Sequence, residues 1–345
     1  MSSPTKIGFY LRYGWDEQTR AACTVADYIS SLGASVTFLS PEPREDAVHA
    51  VWDEKVISER RRSFAEWADR CSHLFWVDVP THLAQHQIAD RKNILLLPWH
   101  RLDEEKQKRL KLFHTILCPS HSSYRAMQLA GYGDRISCAM FDAFGALHTP
   151  AASLQKRIFC PIDSYTGREL GVGLLYQLQT LLDSDPEIQI TVGYGKSWSS
   201  EGVKILTTML AQHDGRFAAI KRPTWLTRGA CYETHELTLD LSLRQTTGLF
   251  ALESLSYGRP VVTFDVAPMH EIVEIDKTGW RVPCGIKLGT MKTPEAVVNF
   301  SDLSATLQHA VNNLETLQTA KHWKLSRRNR QKTFNRALNV ALDLL

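Results

Sequence analysis

The chain of 345 residues contains no run of about 18 apolar residues, so nothing in it reads as a membrane-spanning helix. Its opening residues, Met1 to Lys6, are polar and lack the apolar core of a secretory signal, which points to the cytoplasm. Seven cysteines (Cys23, Cys71, Cys118, Cys138, Cys160, Cys231 and Cys284) stand singly, with no Cys-x-x-Cys pair and an odd total. That argues against a disulfide framework and against a zinc site, and they read as reduced core residues. There is no Gly-x-x-x-x-Gly-Lys-Ser/Thr loop, and Gly193-Tyr194-Gly195 lacks the third glycine of a dinucleotide fingerprint. ATP hydrolysis and hydride transfer therefore fall away. Repeats and low-complexity segments are absent too, and a net charge of +3 is too small to name a partner.

What is present is enough apolar sequence, 43% of the chain, to build two cores, and the length suggests two domains. The first half alternates strands and helices, the pattern of a parallel sheet wound on both faces. Strands are expected at Lys6–Arg12, Ser35–Leu39, Leu74–Val77, Ile94–Leu97 and Thr115–Cys118, with helices at Glu17–Ser31, closed by Gly33, and Ser122–Ala130, closed by Gly131. Asp142 to Ala152, rich in Ala, Gly and Pro, reads as a hinge. A second alternation follows. Strands are expected at Ile158–Ile162, Ile188–Val192, Phe217–Ile220 and Leu237–Leu243, and helices at Gly171–Ser184, Lys204–His213, Ser301–Leu317 and Thr319–Leu345. The expected lobes are residues 1–145 and 155–320. Asp183-Ser184-Asp185, which has the look of a metal-binding Asp-x-Asp, sits in a Pro-bounded loop after a helix and reads as a turn.

The most informative stretch runs from Thr247 to Pro283. A loop ends at Gly248, an amphipathic helix runs from Leu249 to Tyr257, Gly258 stops it, and Pro260 leads into the buried strand Val261–Phe264. The start of that helix offers free backbone N–H groups, which attract phosphate, and Glu253, just over a turn inside, is suited to hold a ribose hydroxyl pair.

This order of loop, glycine, helix with an internal acid, Gly-x-Pro-Val-Val strand and second acid resembles the donor site of retaining GT-B glycosyltransferases, above all glycosyltransferase family 4. The resemblance implies an α/β chain of two Rossmann-like doubly wound lobes with a cleft between them, and a C-terminal helix, from about 325 to 345, crossing back to the first lobe. It implies transfer of a sugar from a nucleoside diphosphate sugar, a UDP-sugar foremost, to an acceptor hydroxyl, with retention and with no metal or other cofactor required. Where the family has a first Glu eight residues before the helix acid, this chain has Gln245, an amide that can hydrogen-bond a sugar but carries no charge. The family's Gly-Gly-x-x-Glu stands here as Ala267-Pro268-Met269-His270-Glu271, which keeps the acid at Glu271 and loses both glycines. Gln245, Glu271 and His100, which follows a strand where the family has a catalytically important histidine, are the expected catalytic group. Thr247, Gly248, Leu249 and Glu253 are expected on the sugar nucleotide, with Gly193 in the place of the family's Gly-x-Gly turn. Arg168, in the loop after the strand at Ile158, is the expected diphosphate clamp, a planar guanidinium that takes two oxygens together. Lys196 and Arg222 are candidates for a second cation.

On the acceptor side the resemblance points to Gly14, where the family has a glycine pair, with Trp15, Asp78 and Trp99 near the same strand ends; for Asp78 a helix cap is the competing expectation. A glycan or lipid-linked glycan is the expected acceptor, and Arg60 to Arg62 with Phe64 and Trp67 could lie on an anionic membrane surface. An alternative acceptor is a hydroxymethylated pyrimidine in DNA, held by the basic run Lys321 to Arg336 and stacked on Trp99 or Trp15. A second alternative is a non-catalytic scaffold of the same fold, motivated by Gln245 and the lost glycines.

Overall fold

A computed structural model describes residues 5–11, 17–41, 52, 55–58, 62–83, 92–97, 102–141, 155–162, 164–195, 198–221, 223, 225–245, 247–289 and 293–343. The chain forms two compact units, one of residues 1–141, 290–292 and 330–345, the other of residues 142–289 and 293–329. Each is built on an all-parallel sheet.

In the first unit seven strands, β1 (Lys6–Tyr10), β2 (Ser35–Ser40), β3 (Val56–Ser58), β4 (His73–Trp76), β5 (Lys92–Leu96), β6 (Thr115–Cys118) and β7 (Ile136–Cys138), lie in the order β3-β2-β1-β4-β5-β6-β7. Their interiors are continuous apolar runs rather than alternating ones, as expected of strands covered by helices on both faces. Tyr10, Leu74, Trp76, Leu95, Ile116 and Cys118 form one core with Phe64 and Trp67 from the short helix Phe64–Ala68. Ser63 starts that helix with a reciprocal cap: its hydroxyl accepts from the Glu66 N–H while the Glu66 carboxylate accepts from the Ser63 N–H. The cap turns both aromatic rings inward, leaving Trp67 buried. This corrects the expectation of a membrane-facing patch here, because its aromatic half is core.

The second unit carries β8 (Arg157–Ile162), β9 (Gln189–Tyr194), β10 (Phe217–Lys221), β11 (Leu237–Asp240), β12 (Val261–Phe264) and β13 (Gly279–Val282) in the order β10-β9-β8-β11-β12-β13. An antiparallel pair, β14 (Cys284–Leu288) and β15 (Pro294–Val298), follows. The helices Gly171–Ser184, Ser200–Gln212 and Phe300–Asn312 cover the sheet, with Leu174, Leu178, Leu206, Leu303 and Leu307 in its core. The final helix, Thr319–Ala341, buries Trp323 beside Leu252 and Met269 of the second unit, while Phe334 meets Phe141 and Tyr28 of the first. No helix among the described residues is long and apolar enough to cross a membrane.

Candidate functional site

Doubly wound parallel sheets bind ligands beyond the carboxyl ends of their strands, where the strand order reverses. In the second sheet that reversal lies between β8 and β11, which end at Ile162 and Asp240. The turns beyond both strands are tied together, since the Leu243 N–H donates to the buried Thr166 hydroxyl at 3.0 Å. Thr166 belongs to the Ser164–Glu169 helix, which also carries Arg168; the Arg168 side chain lies outside the described residues.

Beyond β11 the chain passes the buried Gln245 and Thr247 and enters the helix Leu249–Ser256 at Gly248. Gly248 has φ of 68°, and a Cβ on it would stand 2.5 Å from Ile272 Cδ1 and 3.0 Å from Met269 Sδ. Glycine alone tolerates both the left-handed backbone and the close approach. Among the described residues the N–H groups of Leu249 and Phe250 meet no acceptor, so two donors open the helix. The third, on Ala251, donates to Asp240 Oδ2 at 3.1 Å.

Asp240 has no solvent exposure, and its Oδ1 accepts from the Ser242 hydroxyl at 2.9 Å and from Gln245 Nε2 at 2.6 Å. Donors on both oxygens are the setting of an ionised carboxylate. The sequence reading passed over this residue, although an acid closing the run Leu237-Thr238-Leu239 was the available signal. That reading extended the strand to Leu243; it ends at Asp240, where the carboxylate turns to the helix instead of continuing the ladder.

Glu253 is gripped by a residue that no local pattern announces. Arg228, on the helix Trp225–Thr234, donates from Nε to Oε2 at 2.8 Å and from Nη2 to Oε1 at 2.9 Å, and the Tyr232 hydroxyl donates to Oε2 at 3.1 Å. The ribose contact expected of Glu253 competes with this grip. Glu271 sits in a single turn, Met269–Glu271, that packs against Gly248, with Oε1 4.0 Å from His270 Nε2. Gly193 lies inside β9 rather than in a turn, paired across to Pro161 and Ile220, and its missing side chain makes room for Pro223.

In the first unit the strand order reverses between β1 and β4. Asp78, just past β4, caps no helix; both its oxygens accept from Lys106 Nζ, at 2.8 and 2.9 Å. Beside it the Tyr10 hydroxyl meets Nε2 of the exposed His82 at 2.6 Å, and Arg109 ties the intervening loop by donating to the carbonyls of Pro80 and Leu83. His82 and Lys106 were not singled out from sequence. Gly14, Trp15, Trp99, His100, Lys196 and Arg222, the hinge at 142–152, and Arg60 with Arg61 lie outside the described residues.

No protein-family model matches the chain, and no curated protein sequence does. Solved structures do. The pneumococcal O-GlcNAc transferase GtfA, solved with UDP and GlcNAc, aligns over 99% of both chains with a TM-score of 0.73 and 8% identity. HepE of Anabaena, solved with UDP and glucose, aligns over 99% of this chain and 100% of its own, with a TM-score of 0.64 and 12% identity. The lipopolysaccharide outer core galactosyltransferase WaaB gives 0.63 and 14% over 97% and 99%. At such identities the likeness establishes the fold, and this chain has the GT-B fold of those glycosyltransferases.

Proposed function

We propose that the chain transfers a sugar from a UDP-sugar to a hydroxyl of a glycan or lipid-linked glycan, with retention at the anomeric carbon and without a metal. The observation that carries this reading is the pair of N–H groups, on Leu249 and Phe250, that meet no acceptor among the described residues and open a helix where the second sheet reverses its strand order. One further feature supports it: GtfA and HepE, which share the fold, were solved with UDP.

In this reading the two N–H groups and Arg168 receive the diphosphate, with Lys196 or Arg222 as the second cation. As the bond between sugar and diphosphate breaks, negative charge grows on the leaving phosphate, and fixed donors stabilise it without reorganising. Thr247 adds a hydroxyl beside the helix start, and Gln245 and Glu271 face the sugar. Glu253 serves by holding the helix in place through Arg228, and Gly193 by letting Pro223 pack against β9. His100, Asp78, Gly14, Trp15 and Trp99 form the acceptor side.

The test is a thermal shift of the purified chain against UDP, GDP, ADP and their sugars, with and without EDTA, followed by turnover assays. A ligand that binds only the folded form raises the melting temperature. A shift with UDP and its sugars, insensitive to EDTA, is expected. Glycans, lipid-linked glycans and a duplex with hydroxymethylcytosine are then offered as acceptors, and NMR of the product reads the anomeric configuration. No shift with any nucleotide overturns the reading. A shift without turnover on any acceptor turns it into a non-catalytic binding protein.

A further inference from the structure

Gln245 is nine-tenths buried, and its amide is oriented by one neighbour. Asp240 already receives the Ala251 N–H and the Ser242 hydroxyl, so it meets the amide as an acceptor, and the amide must present its nitrogen. The carbonyl oxygen Oε1 is left over, and it takes no hydrogen bond among the described residues. A carbonyl that no protein donor occupies is open to a ligand hydroxyl.

We infer that Asp240 is a positioning residue that locks Gln245 with its carbonyl as the acceptor for a sugar hydroxyl, and that the negative charge of the sugar site resides on Asp240 and acts through the Gln245 amide. The inference rests on the nucleotide-sugar reading of this site. Three consequences of geometry support it. Asp240 stands at the last position of β11, at the sheet's reversal, where a ligand-facing residue is expected. Its second oxygen holds the helix that carries the two free N–H groups, so one carboxylate sets both the amide and the phosphate donors. An amide bonded to a carboxylate is polarised, which makes its carbonyl a stronger acceptor than that of an isolated glutamine. A ligand hydroxyl that must donate to this carbonyl is selected over a group that can only accept.

The roles of the two positions can be exchanged. Gln245→Glu sets two carboxylates 2.6 Å apart, and they remain together only while sharing a proton. Asp240→Asn removes the charge, and an asparagine whose oxygen keeps the Ala251 N–H offers its nitrogen to Gln245, turning that amide over. The double variant Asp240→Asn with Gln245→Glu restores one carboxylate and one amide in reversed order.

Calorimetric titration of the four proteins with UDP, UDP-glucose, UDP-galactose and UDP-N-acetylglucosamine, across about pH 6 to 9, separates the sugar's contribution from that of the nucleotide. In Asp240→Asn the affinity for the best UDP-sugar, relative to that for UDP measured on the same variant, should fall about tenfold. In Gln245→Glu the same ratio should worsen as pH rises, because the shared proton is lost. The double variant should return to within about threefold of the wild type and lose the pH dependence. Unchanged ratios in the single variants, or a double variant no better than the worse single, overturn the inference while leaving the nucleotide site intact. If UDP fails to bind even the wild type, the site reading falls and the sugar role with it. The ligand-free melting temperatures then still report the pairing, since only Gln245→Glu should lose stability as pH rises.

Discussion

Arg228 holds both oxygens of Glu253, at 2.8 and 2.9 Å, and both side chains are buried. Burial alone would drive the guanidinium toward its neutral form, and the adjacent Glu253 outweighs it, so Arg228 stays charged. Burial first, and then the Glu253 charge, push the Tyr232 phenol well above its ordinary value, which keeps it an O–H donor to the same carboxylate. The triad joins the helix Trp225–Thr234 to the helix that opens at Gly248.

Glu253→Gln leaves a buried guanidinium without its counter-charge and should cost about 3–5 kcal/mol in urea unfolding. Replacing both partners, Arg228→Met with Glu253→Leu, should cost clearly less than that single change. Equal losses in the double and single variants would show that the pair contributes nothing as a pair.

Gly248→Ala forces a side chain into a left-handed position and against Ile272. A loss of about 1–2 kcal/mol is expected from the backbone alone, and the displaced helix start should weaken UDP binding as well. Unfolding and UDP titration on the same preparation check both. Stability lost with UDP affinity unaltered would separate Gly248 from the phosphate site.

His235 is pulled below its ordinary pKa of 6.5, by burial first and then by the nearby cations Arg157 and Arg259, against a hydrogen bond to the Cys231 carbonyl that works the other way. Its Nε2 meets the Thr191 hydroxyl at 2.8 Å. With a depressed folded pKa, the unfolded chain binds the proton more readily. The stability from the neutral ring is therefore full above the unfolded value and is lost as pH falls below it. Urea midpoints from about pH 7.5 down to about pH 5 should decline, and decline less in His235→Gln. Parallel pH profiles in the two proteins would exclude His235 as the cause.

Lys106 and Asp78 form a half-exposed pair, and such pairs contribute little. Lys106→Met should change stability by less than about 1 kcal/mol. If Asp78 serves the acceptor, the same variant should raise the acceptor KM while leaving UDP binding alone. Initial rates against acceptor concentration decide it, and an unchanged KM would leave the pair a structural tie.

Much of the architecture could be read along the chain. The apolar runs at Lys6, Thr115, Ile158 and Val261 are strands, Glu17–Ser31 and Gly171–Ser184 are helices, and Gly248 opens a helix, because strand period, caps and left-handed glycines are local properties. One boundary moved for a local reason, the Asn313 side-chain amide donating to the His309 carbonyl at 2.8 Å. The helix expected to run from Ser301 to Leu317 stops at Asn312, where the chain leaves the helix at Asn313 and tightens into the turn Leu314–Thr316. The hairpin of β14 and β15 went unread, because its exposed residues Ile286, Leu288 and Val297 follow no buried pattern.

What the sequence by itself determined was the alternation that makes two parallel sheets and the left-handed glycine that opens the helix Leu249–Ser256. The tertiary structure alone decided which side chains share a charge. Arg228 lies 25 residues from Glu253, and Asp240 reaches Ala251 across 11. Such pairings follow from how strands and helices pack in three dimensions, and a burial penalty that rules out an unpaired charge selects them only once the fold has brought the partners together. The same packing put Phe64 and Trp67 in the core, though their sequence, next to three arginines, read equally well as surface.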